Sequence, residues 1–353
     1  MKINKLYLLL IFVPISILLH FAKIGNESIQ FFITALAIVP LAGLLGEATE
    51  ELANYTSPKF GGFLGATFGN VTELLLVIFS LKEGLFDVVK ASLAGAMIGN
   101  VLLVLGLSMF MGGLKHKNQK FAKKGTNVSV TLLTFAVLSL IIPAVCTGNI
   151  STEDLNPLKY ESLSIAIAIV MFITYICSIY FSFFTHKDLY GVVHETPQEG
   201  NKKWSKKRSI ITLLIATAIV ALESELLVGN IEPMTEQLHL SKLFVGLIII
   251  PIIGNAAEHA TSVIMAMKNK MDISIEIAIG SSLQIMLFIV PITIFISLLF
   301  EPMVLIFNIY EILAIGVAVI VANKVCADGE SNWLEGLQLV FIYVILAVTF
   351  ILI

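Results

Sequence analysis

Charge is what this chain has least of. Asp, Glu, Lys and Arg make up 13% of its 353 residues, against about 25% in a soluble domain. Apolar residues reach 57% and mean hydropathy is +0.94, which excludes a water-soluble globular fold. Cysteine is scarce too. Cys146, Cys177 and Cys326 lie far apart and form no CxxC pair, so neither a zinc site nor a disulfide framework is indicated. The net charge of −3 and the lack of a basic, aromatic-interleaved stripe argue against a nucleic-acid partner. No phosphate-cradling loop or nucleophile motif appears, which disfavours an enzyme. No small-residue cleavage site follows the first apolar run, where Lys23-Ile24-Gly25-Asn26-Glu27 stands. That run reads as a retained span rather than a signal peptide.

What the chain has in abundance is long apolar runs. A membrane span needs roughly 20 apolar residues. Eleven runs qualify: 6–22, 29–53, 60–81, 88–112, 127–146, 161–184, 209–229, 242–267, 274–299, 303–322 and 333–353. The one sizeable polar stretch, 185–208, holds Pro197, Gly200 and the cluster Lys202, Lys203, Lys206, Lys207 and Arg208. It reads as a charged cytoplasmic linker between two halves. With the N-terminus inside, only Lys23, Lys82, Lys90, Lys159 and Lys242 fall in outer loops. Every other Lys and Arg is then inside, the bias expected of a correctly oriented chain. Eleven spans place the C-terminus outside.

The halves resemble each other. An offset of 185 lays Gly69-Asn70-Val71-Thr72-Glu73 on Gly254-Asn255-Ala256-Ala257-Glu258, Asp87 on Asp272 and Gly95 on Gly280. An offset of 175 lays Thr49-Glu50 on Ser224-Glu225, and a longer loop around 230–241 accounts for the difference. The expected fold is therefore an all-α integral membrane protein. Residues 1–25 form a first helix outside the repeat. Residues 26–184 form one five-helix repeat, 185–208 the linker, and 209–353 the second repeat. Five is odd, so the second copy enters from the opposite side. Such inverted repeats hold substrate near the midplane, at the repeat interface.

Glu73 and Glu258 sit inside apolar spans, where a charge costs about 3 kcal/mol on insertion scales. Two such costs at matching positions point to a shared function rather than to packing. On an intact helix Gly69, Asn70 and Glu73 share a face, as do Gly254, Asn255 and Glu258. Glycine admits a close backbone or a helix break. Gly61, Gly62 and Gly65 precede the first motif, and Pro251, which frees a backbone carbonyl, precedes the second. Each motif thus offers a carboxylate, an amide oxygen and backbone carbonyls. Hard oxygens suit Ca2+, which takes about 6–8 of them; Mg2+ is less suited because it holds its waters. The near absence of thiolate and imidazole disfavours zinc or copper. Ligand type alone leaves sodium open. Protons compete for the same carboxylates, because burial disfavours their charged form.

Other polar residues rank lower. Glu50 and Glu225 are candidates for proton relay or for lining vestibules. Glu47, Glu51 and Glu223 read as vestibule or interfacial residues. His259 is a candidate proton carrier beside Glu258, with a plain hydrogen-bonding role equally open. Gln284, Ser281, Ser282 and Asn100 either complete coordination or bridge helices, the commoner use of such groups.

The paired motifs, Gly69–Glu73 and Gly254–His259, resemble the signature repeats of the calcium/proton exchangers of the cation/calcium exchanger superfamily. The resemblance extends over nearly the whole chain. It implies an antiporter, not an enzyme, that moves Ca2+ against H+ with Glu73 and Glu258 as central ligands. Asn70, Asn255, Gly69 and Gly254 complete the site, and no cofactor is implied. Its partners are the two transported ions and the bilayer, with a homo-oligomer left open. Sodium-coupled relatives carry a Gly-Thr-Ser-x-Pro-Glu type motif. The Asn here, and the lack of Pro inside either motif, favour the proton-coupled branch. The linker lacks the acidic run of many members, and the N-terminal tail lacks the extension of plant and fungal vacuolar ones. A prokaryotic plasma membrane is the expected home. A sodium-coupled exchanger, a passive channel and a membrane-embedded carboxylate enzyme are the alternatives.

Overall fold

The computed structural model describes residues 5–56, 61, 64–65, 67–147, 157–186 and 203–352. Most of the expected linker, residues 187–202 with Pro197, Gly200 and Lys202, lies outside the described residues, as do Lys59 and Gly62. In chain order the helices are α1 (Leu6–Ala22), α2 (Glu27–Ala53), α3 (Val71–Lys82), α4 (Phe86–His116), α5 (Lys123–Cys146), α6 (Leu158–Thr185), α7 (Lys206–Gly229), α8 (Ile231–Leu238), α9 (Lys242–Met267), α10 (Met271–Ser297), α11 (Ile309–Val325) and α12 (Trp333–Leu352). Two short strands, β1 (Asn118–Lys120) and β2 (Glu330–Asn332), pair antiparallel with Gln119 opposite Ser331.

Eight of these helices among the described residues are long and apolar enough to cross a membrane: α2, α4, α5, α6, α7, α9, α10 and α12. Three of the eleven expected runs, the first, third and tenth, yield shorter helices, the last two for a local reason. In the third run the chain turns at Gly69–Asn70, leaving the 12 residues of α3. In the tenth, the residues after Pro302 are extended and the helix waits until Ile309. A capping box starts it there. Asn308 Oδ1 accepts from Glu311 N–H at 2.9 Å, and Glu311 Oε2 accepts from Asn308 N–H at 2.8 Å. The extended segment is satisfied by side chains instead: Leu305 N–H donates to Ser164 Oγ, and Lys90 Nζ donates to Ile306 O. The first run gives α1, of which only Ser16 among the residues of Phe12–Ala22 is fully buried.

Two further expectations are corrected. The stretch after Asn230 is not a loop: it contains α8, which buries Ile231, Met234 and Thr235. The basic cluster Lys206, Lys207 and Arg208 is not free linker but the first turn of α7. Ser205 caps that turn by accepting from Arg208 N–H at 3.3 Å, and the Arg208 guanidinium lies over the Trp204 ring.

The chain packs as two units, each drawing on both halves of the sequence. The first comprises Met1–Val89 and His194–Glu258; the second comprises Lys90–Val193 and His259–Leu352. In the first, α2 lies along α7, and the core joins Phe31, Ile38, Leu76, Leu227, Ile231 and Ile253. In the second, α4 and α12 approach closely enough to touch backbone to backbone. A β-carbon at Gly336 would stand 2.2 Å from Phe110 N and 2.6 Å from Gly106 O. Small residues permit such approach between membrane helices, where packing replaces the hydrophobic effect as the driving force. Of the apolar window of α4, 83% is buried, against 22% for α6. The first is an interior helix; the second presents most of its surface outward, as lipid contact requires.

Among the described residues, five segments widen into π-turns: 99–104, 181–185, 245–249, 276–280 and 285–289. The repeat offset of 185 carries the first of these onto the last to within one residue. π-Turns are frequent at functional sites.

Candidate cation site

All six residues of the paired motifs lie in the first packing unit. The two motifs are built differently. In the first, Gly69 and Asn70 form a turn and α3 begins at Val71. The expected single helix face through Gly69, Asn70 and Glu73 is therefore broken. Gly69 N–H still reaches Gly65 O at 2.9 Å, and Asn70 O accepts from Leu74 N–H at 3.0 Å. Glu73 consequently occupies the first turn of α3, where the backbone N–H groups and the helix dipole favour a carboxylate. In the second motif the helix runs unbroken through Gly254, Asn255 and Glu258. Its irregularity lies one turn earlier, where the π-turn 245–249 meets Pro251.

The motifs engage reciprocally. A β-carbon at Gly254 would stand 3.1 Å from Glu73 Oε1, and one at Gly69 would stand 3.7 Å from Glu258 Oε1. Each carboxylate rests against the glycine of the other motif. The role anticipated for these glycines was backbone approach or helix breakage. The chain turns at Gly69, and both glycines seat the carboxylate of the other motif.

Burial and hydrogen bonding separate the oxygens. Glu73 is 8% exposed, and Asn70 and Asn255 are each 1% exposed. Glu258 is half-buried. Asn255 Nδ2 donates to Pro251 O at 3.2 Å, which turns its Oδ1 the other way. That Oδ1 and Glu73 Oε2 are buried acceptors with no hydrogen-bond partner among the described residues. Buried polar atoms are almost always paired. Two orphan oxygens on residues of matched motifs form a donor set that a hard cation satisfies.

The lower-ranked residues divide. Glu225 pairs with Lys82 at 2.8 Å on an exposed surface, and this hydrogen bond raises the lysine's pKa. Glu50 is exposed. Glu51 is not a vestibule residue: it is 5% exposed, and its Oε2 accepts from the N–H groups of Lys203 and Trp204 at 3.2 and 3.3 Å. Glu47 accepts from the Tyr7 hydroxyl of α1. Glu223 is 0% exposed and receives Ser16, so it is not interfacial either. Neither Tyr7 nor Ser16 was singled out by sequence reasoning. The available signal was two hydroxyls, Tyr7 and Ser16, in a first run that is otherwise apolar except for His20.

His259, Asn100, Ser281 and Gln284 belong to the second unit. There His259 Nε2 and Asn100 Oδ1 lie 3.3 Å apart, so the histidine has a hydrogen-bonding partner. Asn100 occupies the π-turn 99–104. Ser281 and Gln284 bound the short α-helical stretch between π-turns 276–280 and 285–289. Ser281 is 6% exposed.

The family model described as sodium/calcium exchanger protein matches residues 27–184 and 208–352. The chain is 43% identical over 356 residues to a Ca(2+)/H(+) antiporter of Aphanothece halophytica, covering 97% of this chain and 95% of that one. It is 42% identical to the Ca(2+)/H(+) antiporter ChaA of Bacillus subtilis, covering 99% of each. Among solved structures, native YfkE superposes with a TM-score of 0.85 at 39% identity, covering 99% of this chain and all of the other.

Proposed function

This chain belongs to the sodium/calcium exchanger protein family, and from that premise we propose that it exchanges Ca2+ for H+, moving Ca2+ out of the cytoplasm. The observation that carries the reading is the reciprocal seating of Glu73 on Gly254 and Glu258 on Gly69, with orphan oxygens on Glu73 and Asn255. The names of the full-length relatives support Ca2+ and H+ as the ions. The two stretches matched by the family model, 27–184 and 208–352, support two halves of five spans each, with α1 outside them. The matched π-turns in α4 and α10 support the same repeat. Eleven spans, a cytoplasmic N-terminus, an outer C-terminus and a prokaryotic plasma membrane complete the proposal.

In this scheme the transported Ca2+ is bound by the Glu73 and Glu258 carboxylates and by the Asn70 and Asn255 amide oxygens. Two carboxylates neutralise one divalent ion. Left ion-free they would stand as like charges at membrane depth, a state strongly disfavoured. The site therefore crosses loaded with either Ca2+ or protons. Exchange follows from that exclusion of the empty form. The proton gradient then drives export by alternating access around a midplane site, the arrangement typical of inverted-repeat transporters.

The test is Ca2+ uptake into everted vesicles under an imposed pH gradient. Uptake is expected for the wild type and lost in Glu73→Gln and in Glu258→Gln. Full exchange in both variants would remove the glutamates from the site. Uptake driven by a sodium gradient and indifferent to pH would replace the proton as the coupling ion.

A further inference from the structure

Helix α1 carries one buried polar side chain, and it is aimed at a carboxylate. Ser16 is 2% exposed, and Glu223 of α7 is 0% exposed. Ser16 Oγ lies 2.6 Å from Glu223 Oε1, 2.8 Å from Oε2 and 2.8 Å from Val13 O. Glu223 has no other side-chain hydrogen-bond partner among the described residues. The charged groups on the elements around α7 are engaged elsewhere or exposed. Lys82 pairs with Glu225, Glu47 takes the Tyr7 hydroxyl, and Glu51 takes two backbone N–H groups. Glu27 accepts from Gln237, and Glu232 pairs with Lys242. Glu50, Glu236 and His20 are exposed. Glu73 rests on Gly254. A carboxylate buried in a membrane span without a counter-charge is a functional-site candidate by default.

Counting protons favours the neutral acid. A serine hydroxyl has one proton to donate; an ionised carboxylate and a carbonyl have none. With Glu223 ionised, three acceptor oxygens around Ser16 Oγ would share a single proton. The remaining contacts, all at 2.6–2.8 Å, would then bring lone pairs together. With Glu223 protonated, its O–H donates to Ser16 Oγ and the serine O–H donates to Val13 O. Two protons then serve the three contacts, leaving one carboxyl oxygen beside Ser16 Oγ without a proton, against two bare contacts when Glu223 is ionised.

We propose that Glu223 is a proton-binding site distinct from the Glu73–Glu258 cation site, kept as the neutral acid by its full burial, with Ser16 as its hydrogen-bond partner. The chain Glu223–Ser16–Val13 thereby fastens α1 to α7. These contacts do not depend on which ion the cation site transports.

Infrared difference spectroscopy of the full-length protein in lipid at neutral pH tests it, through the C=O stretch of protonated carboxyl groups. The wild type should show a component that Glu223→Gln lacks. The same component should move to higher wavenumber in Ser16→Ala, where the carboxyl has lost its acceptor. A spectrum in this region unchanged by either substitution would overturn the proposal. Should Glu223→Gln fail to fold, Ser16→Ala carries the decision alone: a shifted band supports the neutral acid, and an unmoved one refutes it.

Discussion

Glu73 Oε1 and the α-carbon of Gly254 meet so closely that the position has room for hydrogen but barely for methyl, since an added β-carbon would lie 3.1 Å from the oxygen. Gly254→Ala should therefore push the carboxylate aside by a few tenths of an ångström without unfolding the helix. We expect the apparent KM for Ca2+ to rise about tenfold, equivalent to ~1.4 kcal/mol, with normal yield of protein. Gly69→Ala differs in kind. Its β-carbon would stand 2.6 Å from a backbone oxygen, Gly65 O, which cannot swing away. Thermal stability should fall there together with transport. Ca2+ titration of vesicle uptake and melting of purified protein separate the two.

The proposed competition of Ca2+ and protons for one pair of carboxylates fixes a sign for pH dependence. If protons displace Ca2+ there, apparent KM should rise as pH on the loading side falls. Each competing proton contributes up to about tenfold per pH unit, or ~1.4 kcal/mol. Asn255→Ala should weaken Ca2+ affinity at every pH and leave that slope unchanged, because the amide does not titrate. Uptake kinetics at several pH values check both statements; a slope that vanishes in the asparagine variant would contradict them.

The α4–α12 contact offers a stability test remote from the site. At Gly336 a side chain would collide with Phe110 N and Gly106 O. Gly336→Leu should destabilise by at least the ~1–3 kcal/mol typical of overpacking. Ile320→Ala, on a 70% exposed position, should leave stability nearly unchanged in lipid. Thermal melts of both in the same bilayer provide the comparison.

Glu51 anchors the backbone at Lys203 and Trp204. Replacing it with Ala leaves two N–H groups without that acceptor and should loosen the entry to α7. Trypsin cleavage after Lys203, Lys206 or Lys207 should then quicken several-fold in Glu51→Ala, with the span interiors still protected. Equal cleavage rates would mean that the Tyr55 hydroxyl bond to Trp204 O, at 2.5 Å, suffices to hold the segment.

The length of the apolar runs made the long helices visible, because membrane depth leaves the backbone no other way to satisfy itself. The paired motifs were visible because an intramembrane carboxylate is costly and these two recur at one offset. Three kinds of feature escaped. Helix breaks at Gly69 and before Ile309 depend on turns and caps that hydropathy averages away. The fates of Glu51 and Glu223 depend on partners more than 150 positions distant in sequence, which spacing cannot pair. The seating of each carboxylate on the opposite glycine is a tertiary fact with no local signature.

The π-turns at 99–104 and 285–289 each take one more residue than an ordinary turn. At about 100° of rotation per residue, each swings every side chain beyond it round the axis of α4 or α10. Apolar spacing counted straight through either segment therefore assigns the far end of the helix to the wrong face.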